Sequence, residues 1–178
     1  YNSKFGKVFG KLFDRLHRLF LNRSDAILCV SEEIFENMNS YFGEKSQFIP
    51  NPMEASSGPI KFKNLSEPGR KLILGYVGSN LPRKRVSELI SFCDMHSDNL
   101  QFQLDIFGFE RPFGSFSQNI TFHGYEKKSV IFSSIDVLIL LSTSEGTPNV
   151  VLEALSHGIP VVLSDIRAHK DLKNHFKD

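Results

Sequence analysis

An α/β fold built on a parallel sheet is what this sequence predicts, on two grounds. Short apolar runs of strand type alternate with longer stretches of helical periodicity, and Gly, Pro or Ser punctuation separates them. Strands that alternate with helices imply right-handed crossovers and a parallel sheet covered on both faces. With 178 residues, 40% apolar and 23% charged, the chain has material for one sizeable domain, or for one domain and part of another.

The elements follow in order. Over residues 4–21, Phe5, Val8, Phe9, Leu12, Phe13, Leu16, Leu19 and Phe20 recur at spacings of three and four. Lys4, Lys7, Lys11, Arg15 and Arg18 fill the gaps, which gives a basic amphipathic helix. Its Phe-rich stripe reads as a packing face with solvated cations outside; the alternative is peripheral attachment to an anionic membrane surface. Residues 26–30 form a strand-type run, and Ser31 ahead of Glu32 and Glu33 predicts a capped helix that ends near Gly43. Pro, Ser and Gly punctuation over 48–52 and 54–59 marks an interdomain linker, with a boundary near residue 52. Beyond it, strands are expected over 72–77, 101–107, 120–122, 137–141 and 161–163, and helices over 82–95, 126–134 and 148–157.

Several classes of function are disfavoured. Lys and Arg exceed Asp and Glu by one, so nothing in the overall charge asks for nucleic acid as partner. Cys29 and Cys93 have no partner at metal or redox spacing, which suits reduced thiols in a cytoplasmic protein and gives neither a role. No run reaches the roughly 18 apolar residues of a membrane-spanning helix, and the N-terminus lacks the features of a signal peptide. There is no Asp-x-Asp pair or His and carboxylate cluster at ligand spacing, so no metal is expected.

Ligands on open parallel sheets bind beyond the carboxyl ends of the strands, and there one stretch stands out. In Ser142-Thr-Ser-Glu145-Gly146-Thr147-Pro148, Pro148 fits the first helical position and Thr147 the cap; Gly158 stops the helix, with Pro160 beyond. Glu145 then lies in the loop ahead of the free amides, and Glu153, eight positions on, lies about one and a half turns into the helix. Free amides and the positive end of the dipole make an anion site. Two acids beside it suit hydroxyls, as in a ligand with a diphosphate between two hydroxylated rings, a nucleotide sugar. The segment Gly75-Tyr-Val-Gly78 lacks G-x-G-x-x-G and the acid that follows it, so a dinucleotide fold is not indicated. His123 and His169 read as structural or surface residues.

The stretch from Glu145 to Glu153 resembles the E-x7-E signature of the retaining glycosyltransferases of group 1 (family 4), which have two Rossmann-like domains in the GT-B arrangement. DAILCVS (25–31) is similar to the last strand of the family's acceptor domain, and FIPNP (48–52) to its crossover. GYVGS, DIFGF, ITFHGY and IDVLILLSTSEGTPNVVLEAL resemble successive parts of the donor domain. The resemblance implies a Rossmann-like parallel sheet with helices on both faces, the donor-binding half of a GT-B enzyme. Residues 1–52 are then expected to be a remnant of the acceptor domain and crossover, and 53–178 a nucleotide-sugar-binding domain truncated at its C-terminal end.

Site roles follow from the same resemblance. Glu153 would bind the ribose hydroxyls, Glu145 would face the donor sugar, and backbone amides in the stretch Gly146, Thr147, Pro148, Asn149 and Val150, where Pro148 itself has no N–H, would hold sugar and diphosphate. Lys84 would contact the diphosphate; Glu145 and Lys84 are the candidate catalytic pair. Gly78, Ser79, Arg83 and Gly108 complete the candidate donor site. Where the family reads Gly-Arg-Leu, this chain has Gly78-Ser79-Asn80, and Arg85 replaces the usual glycine after the lysine. The implied activity is transfer from a UDP- or GDP-linked sugar to a carbohydrate or glycolipid acceptor with no cofactor, in polysaccharide biosynthesis at the inner face of the membrane. The competing readings are a noncatalytic nucleotide-sugar-binding module, which Ser79 favours, and a sugar-phosphate-binding domain with no preference for a nucleotide.

Overall fold

The computed structural model of the chain describes residues 2–52, 69–98 and 101–175, so the linker expected over 54–59 lies outside the described residues. The chain divides into two compact units, Tyr1–Asn51 and Pro52–Asp178.

The first unit contains α1 (Asn2–Arg23), β1 (Ile27–Cys29), α2 (Glu32–Phe42), a 3-10 turn (Gly43–Lys45) and β2 (Ser46–Phe48). The Ser31 side chain accepts from the Ile34 amide at 3.3 Å and caps α2, as the Ser-Glu-Glu start predicts. The strands β1 and β2 pair in parallel, with Ile27 opposite Ser46. Phe48, expected in the linker, instead closes β2, a three-residue Ser-Gln-Phe strand too short to carry a period in the sequence.

The second unit contains β3 (Leu72–Val77), a 3-10 turn (Pro82–Lys84), α3 (Val86–Met95), β4 (Phe102–Phe107) and β5 (Ile120–Gly124). It continues with α4 (Lys128–Ser134), β6 (Val137–Leu140), α5 (Asn149–Ser156), β7 (Val161–Leu163) and α6 (Arg167–His175). Its five strands lie in the order β5-β4-β3-β6-β7, with every neighbouring pair parallel. The sheet is flanked by helices, and Tyr76, Leu104, Ile106, Phe107, Ile135, Leu138 and Leu140 are fully buried against it. At the amino end of β3 the buried Asp136 carboxylate accepts from the Ile73 amide at 2.9 Å and from Arg70 at 2.6 Å, which neutralises a charge that burial would otherwise penalise.

Three expectations are corrected. The single helix over 82–95 is broken: Arg85 stands at φ 52, ψ 28, in the left-handed region, between the 3-10 turn and α3. Helix α5 starts one residue later than expected, with Pro148 rather than Thr147 in the cap position and the Pro148 carbonyl accepting from the Val151 amide at 2.9 Å. Helix α6 was not foreseen, because its apolar face is only Ala168 and Leu172, four positions apart in an otherwise charged and polar segment. The stop of α5 is as expected: Gly158 has φ 73, and the amides of Gly158 and Ile159 return to the carbonyls of Leu155 and Ala154 in a Schellman closure.

Candidate donor site

The strand order sets where a ligand can sit. From β3 the chain steps outward to β4 and β5, then returns to the other side of β3 for β6 and β7. Order therefore reverses between β3 and β6, and the crevice at the carboxyl ends of these two strands is the position where doubly wound sheets bind ligands. The loop after β3 supplies Gly78, Ser79, Arg83 and Lys84, and the loop after β6 supplies residues 142–148.

These two loops are latched together. The Arg83 carbonyl accepts from the Thr143 amide at 2.8 Å and from the Thr143 hydroxyl at 3.3 Å. The Arg83 guanidinium donates to the Ser144 carbonyl at 3.1 Å and to Glu145 Oε2 at 3.0 Å. Lys84 Nζ meets Glu145 Oε1 at 2.5 Å. The structure thus joins the candidate catalytic pair directly, with Arg83 as a third member, while Arg85 turns away to Glu88 at 3.1 Å. Of the cluster's side chains, Glu145 is 6% exposed and Lys84 12%. Burial pushes the Glu145 carboxyl up, but hydrogen bonding from Lys84, Ser142 and Arg83, together with the Lys84 charge, outweighs it and holds the carboxyl below its ordinary value. Two cations against one carboxylate leave the cluster formally positive. Beneath it, the buried Tyr76 hydroxyl donates to the Ser79 carbonyl at 2.9 Å. Burial first, and the Glu145 charge second, raise that phenol's pKa, so it stays a neutral donor.

Gly78 and Gly108 close the floor of the crevice. The Gly78 amide donates to the Phe107 carbonyl at 3.0 Å, and a Cβ at Gly108, whose φ is 99, would lie 2.6 Å from the Gly78 carbonyl oxygen. The ends of β3 and β4 therefore touch backbone to backbone, which only glycine permits. At Gly146, by contrast, an added Cβ would meet nothing within 4 Å, so the chain at the start of α5 borders open space.

Glu153 lies outside the Lys84 cluster. It belongs to a cleft of about 430 Å³ whose lining includes Lys128, Asn149, Leu152, Ser156 and His157, and its Oε1 is 2.7 Å from Lys128 Nζ. Sequence reasoning missed Lys128, Tyr76 and Thr143. No spacing connects Lys128 with a glutamate 25 positions later; only the return of the chain from β5 to β6 brings α4 beside α5. The expected structural histidines have protein partners: His123 Nε2 is 3.2 Å from the buried Asp105, and His169 Nδ1 is 2.7 Å from the Ser164 carbonyl. Cys29 and Cys93 are buried free thiols, Cys93 pushed up to about 11 by burial. Among the described residues no group of three His, Cys, Asp or Glu side chains is placed to hold a metal ion.

A doubly wound α/β unit with a latched, positively charged crevice at its switch point is of the Rossmann-like class found in GT-B glycosyltransferases. Residues 71–178 match the family model described as Glycosyl transferases group 1, and the chain belongs to that family. Protein CapJ of Staphylococcus aureus is 23% identical over 192 residues, which cover 98% of this chain and 47% of CapJ. Two solved structures are similar in fold. One is Anabaena Alr3699/HepE in complex with UDP-glucose, with TM-score 0.68 and 16% identity over 89% of this chain and 50% of that one. The other is WaaG, a glycosyltransferase involved in lipopolysaccharide biosynthesis, with TM-score 0.68 and 17% identity over 98% and 56%. The chain spans about half the length of these relatives.

Proposed function

We propose that this chain is the donor-binding half of a retaining glycosyltransferase and binds a UDP- or GDP-linked sugar at the crevice between β3 and β6. The observation that carries the reading is the meeting of Lys84, Arg83 and Glu145 at the switch point, one turn ahead of α5. As the glycosidic bond breaks, the leaving diphosphate gains negative charge and the sugar takes on oxocarbenium character. The amides at the start of α5, Lys84 and Arg83 oppose the first; Glu145 faces the sugar; Glu153 accepts from the ribose hydroxyls. Fixed donors and charges of this kind contribute several kcal/mol to a transition state, about 2.7–4 kcal/mol for one well-placed donor, so the cleavage needs no metal. Retention follows if an oxygen of the departing diphosphate takes the proton of the acceptor hydroxyl on the same face of the sugar. The acceptor is a saccharide or a lipid-linked saccharide at the cytoplasmic face of a membrane. The stripe of α1 supports the membrane contact: Phe9, Leu12, Phe13, Leu16 and Phe20 are 43–71% exposed along a helix that also carries Lys11, Arg15 and Arg18.

Calorimetry tests the donor half of this reading. A nucleoside diphosphate is expected to bind more tightly than the monophosphate, with Lys84→Ala erasing most of the difference. Ser79→Arg, which restores a bidentate phosphate donor, is expected to enlarge it. The second reading, a noncatalytic module, rests on Ser79 in place of the family arginine. It takes over if the diphosphate preference appears only with Ser79→Arg.

A further inference from the structure

We propose that Lys128 is a positioning residue that sets the preference of this site for a ribose carrying free hydroxyls; the inference rests on the donor-binding reading and on Glu153 as the hydroxyl acceptor. Lys128 Nζ lies 2.7 Å from Glu153 Oε1, and both line the cleft that also takes in Asn149, Ser156 and His157. Lys128 comes from a different element, the first residue of α4, whereas Glu153 is in the middle of α5. The pair therefore fixes a glutamate side chain from outside its own helix.

The Lys128 side chain is 62% exposed and that of Glu153 26%, so as a stabilising contact the pair contributes little, and two observations point to a different role. First, Lys128 is poorly placed for its own helix. It follows Lys127, which occupies the cap position and makes no side-chain cap hydrogen bond, and the first turn of α4 holds no acid. A cation there opposes the helix dipole, so local stability does not account for it, and rules broken locally concentrate at functional positions. Second, Glu153 lies apart from the cluster of Lys84 and Arg83, in the cleft that Lys128 also lines. A lysine on Oε1 fixes the carboxylate and leaves the other oxygen, Oε2, to accept from a hydroxyl. Without the lysine the side chain is free to rotate, and the hydroxyl loses an oriented acceptor. The effect is selective: it acts on the ribose hydroxyls and not on the phosphate groups, which the crevice holds through Lys84 and Arg83.

Titration calorimetry of the full 178-residue chain with UDP and GDP, and with their 2′,3′-dideoxy counterparts, tests this. Lys128→Ala is expected to weaken whichever ribonucleotide binds by about three- to tenfold and to leave the dideoxy nucleotide within twofold. Lys128→Arg, which keeps the charge, is expected to restore most of the loss. In a Glu153→Ala background, Lys128→Ala should cost nothing further, and Lys127→Ala should leave both affinities unchanged. Circular dichroism melts of each variant establish that it is folded. Equal loss for ribo and dideoxy nucleotides, with Glu153→Ala still abolishing the ribose preference, overturns the role of Lys128 and leaves the donor site standing. Absence of binding by UDP and GDP to the unmodified chain overturns the donor reading and this inference with it.

Discussion

At the scale of single residues, Glu145 is the side chain on which the two loops depend. The folded protein favours its ionised form, because Lys84 and Arg83 donate to it and outweigh the cost of burial. A carboxyl held below its ordinary value of 4.5 contributes stability that is fully present above that value and is lost as pH falls through the folded one. Chemical unfolding of the unmodified chain should therefore become easier as pH drops below about 4.5, and more steeply than that of Glu145→Gln, which has no carboxyl to protonate. Parallel pH profiles for the two proteins would count against the latch as a stabilising contact. The residues legible in sequence were those with a local signature: Glu145 ahead of a helix start, Gly158 after its end, Ser31 before an acidic turn. The pairing of Glu145 with Lys84 was not, since 61 positions of chain separate them and only the reversal of strand order brings them together.

At the scale of elements, the segment between β3 and α3 is where the helix expected over 82–95 is broken by a left-handed residue. Arg85 stands at φ 52, in the left-handed region, at the position that the resemblance assigns to glycine. A side chain in the left-handed region costs about 1–2 kcal/mol, and the exposed pair of Arg85 with Glu88 returns little of it. Against the roughly 0.5–1 kcal/mol by which glycine raises the entropy of the unfolded chain, Arg85→Gly should be neutral or stabilising by up to about 1 kcal/mol. Arg85→Val, β-branched at the same angles, should be clearly destabilising. Urea midpoints that rank valine above glycine would mean the backbone is not strained there. Helix α1 makes its own prediction. Given the exposure of its Phe and Leu stripe, the chain should sediment with anionic vesicles at low salt and be released as salt rises, because a polybasic face is screened within about 10 Å at 0.1 M. No sedimentation at low salt would leave the stripe as a protein-packing face. Strands were legible wherever the run was continuously apolar, as at residues 161–163; β2, which is Ser-Gln-Phe, and α6, whose apolar face is only Ala168 and Leu172, carry too few apolar residues to stand out.

At the scale of the whole molecule, the order β5-β4-β3-β6-β7 decides more than any residue does. A parallel sheet was implicit in the alternation of strands and helices, but not which strands became neighbours; it was the family resemblance, and not the pattern of the residues, that put the loops after β3 and β6 in one candidate site. The chain spans 47% of CapJ. If these residues are the donor-binding half proposed above, the 178 residues alone should bind a nucleoside diphosphate weakly and transfer no sugar, since part of the cleft in a two-domain enzyme is supplied by the other domain. Detectable transfer by the isolated chain to any saccharide acceptor would end the donor-half proposal.

The bond from the Thr143 amide to the Arg83 carbonyl, 2.8 Å long, has a use beyond holding two loops. Thr143 is exposed on the surface, so solvent reaches its amide as soon as that one bond opens. Its rate of deuterium uptake is then a clock for separation of the loops, readable without knowing the sugar, the base or the acceptor. Any compound that enters the crevice and tightens it must slow that clock, and one that merely adheres elsewhere must leave it running at its native pace.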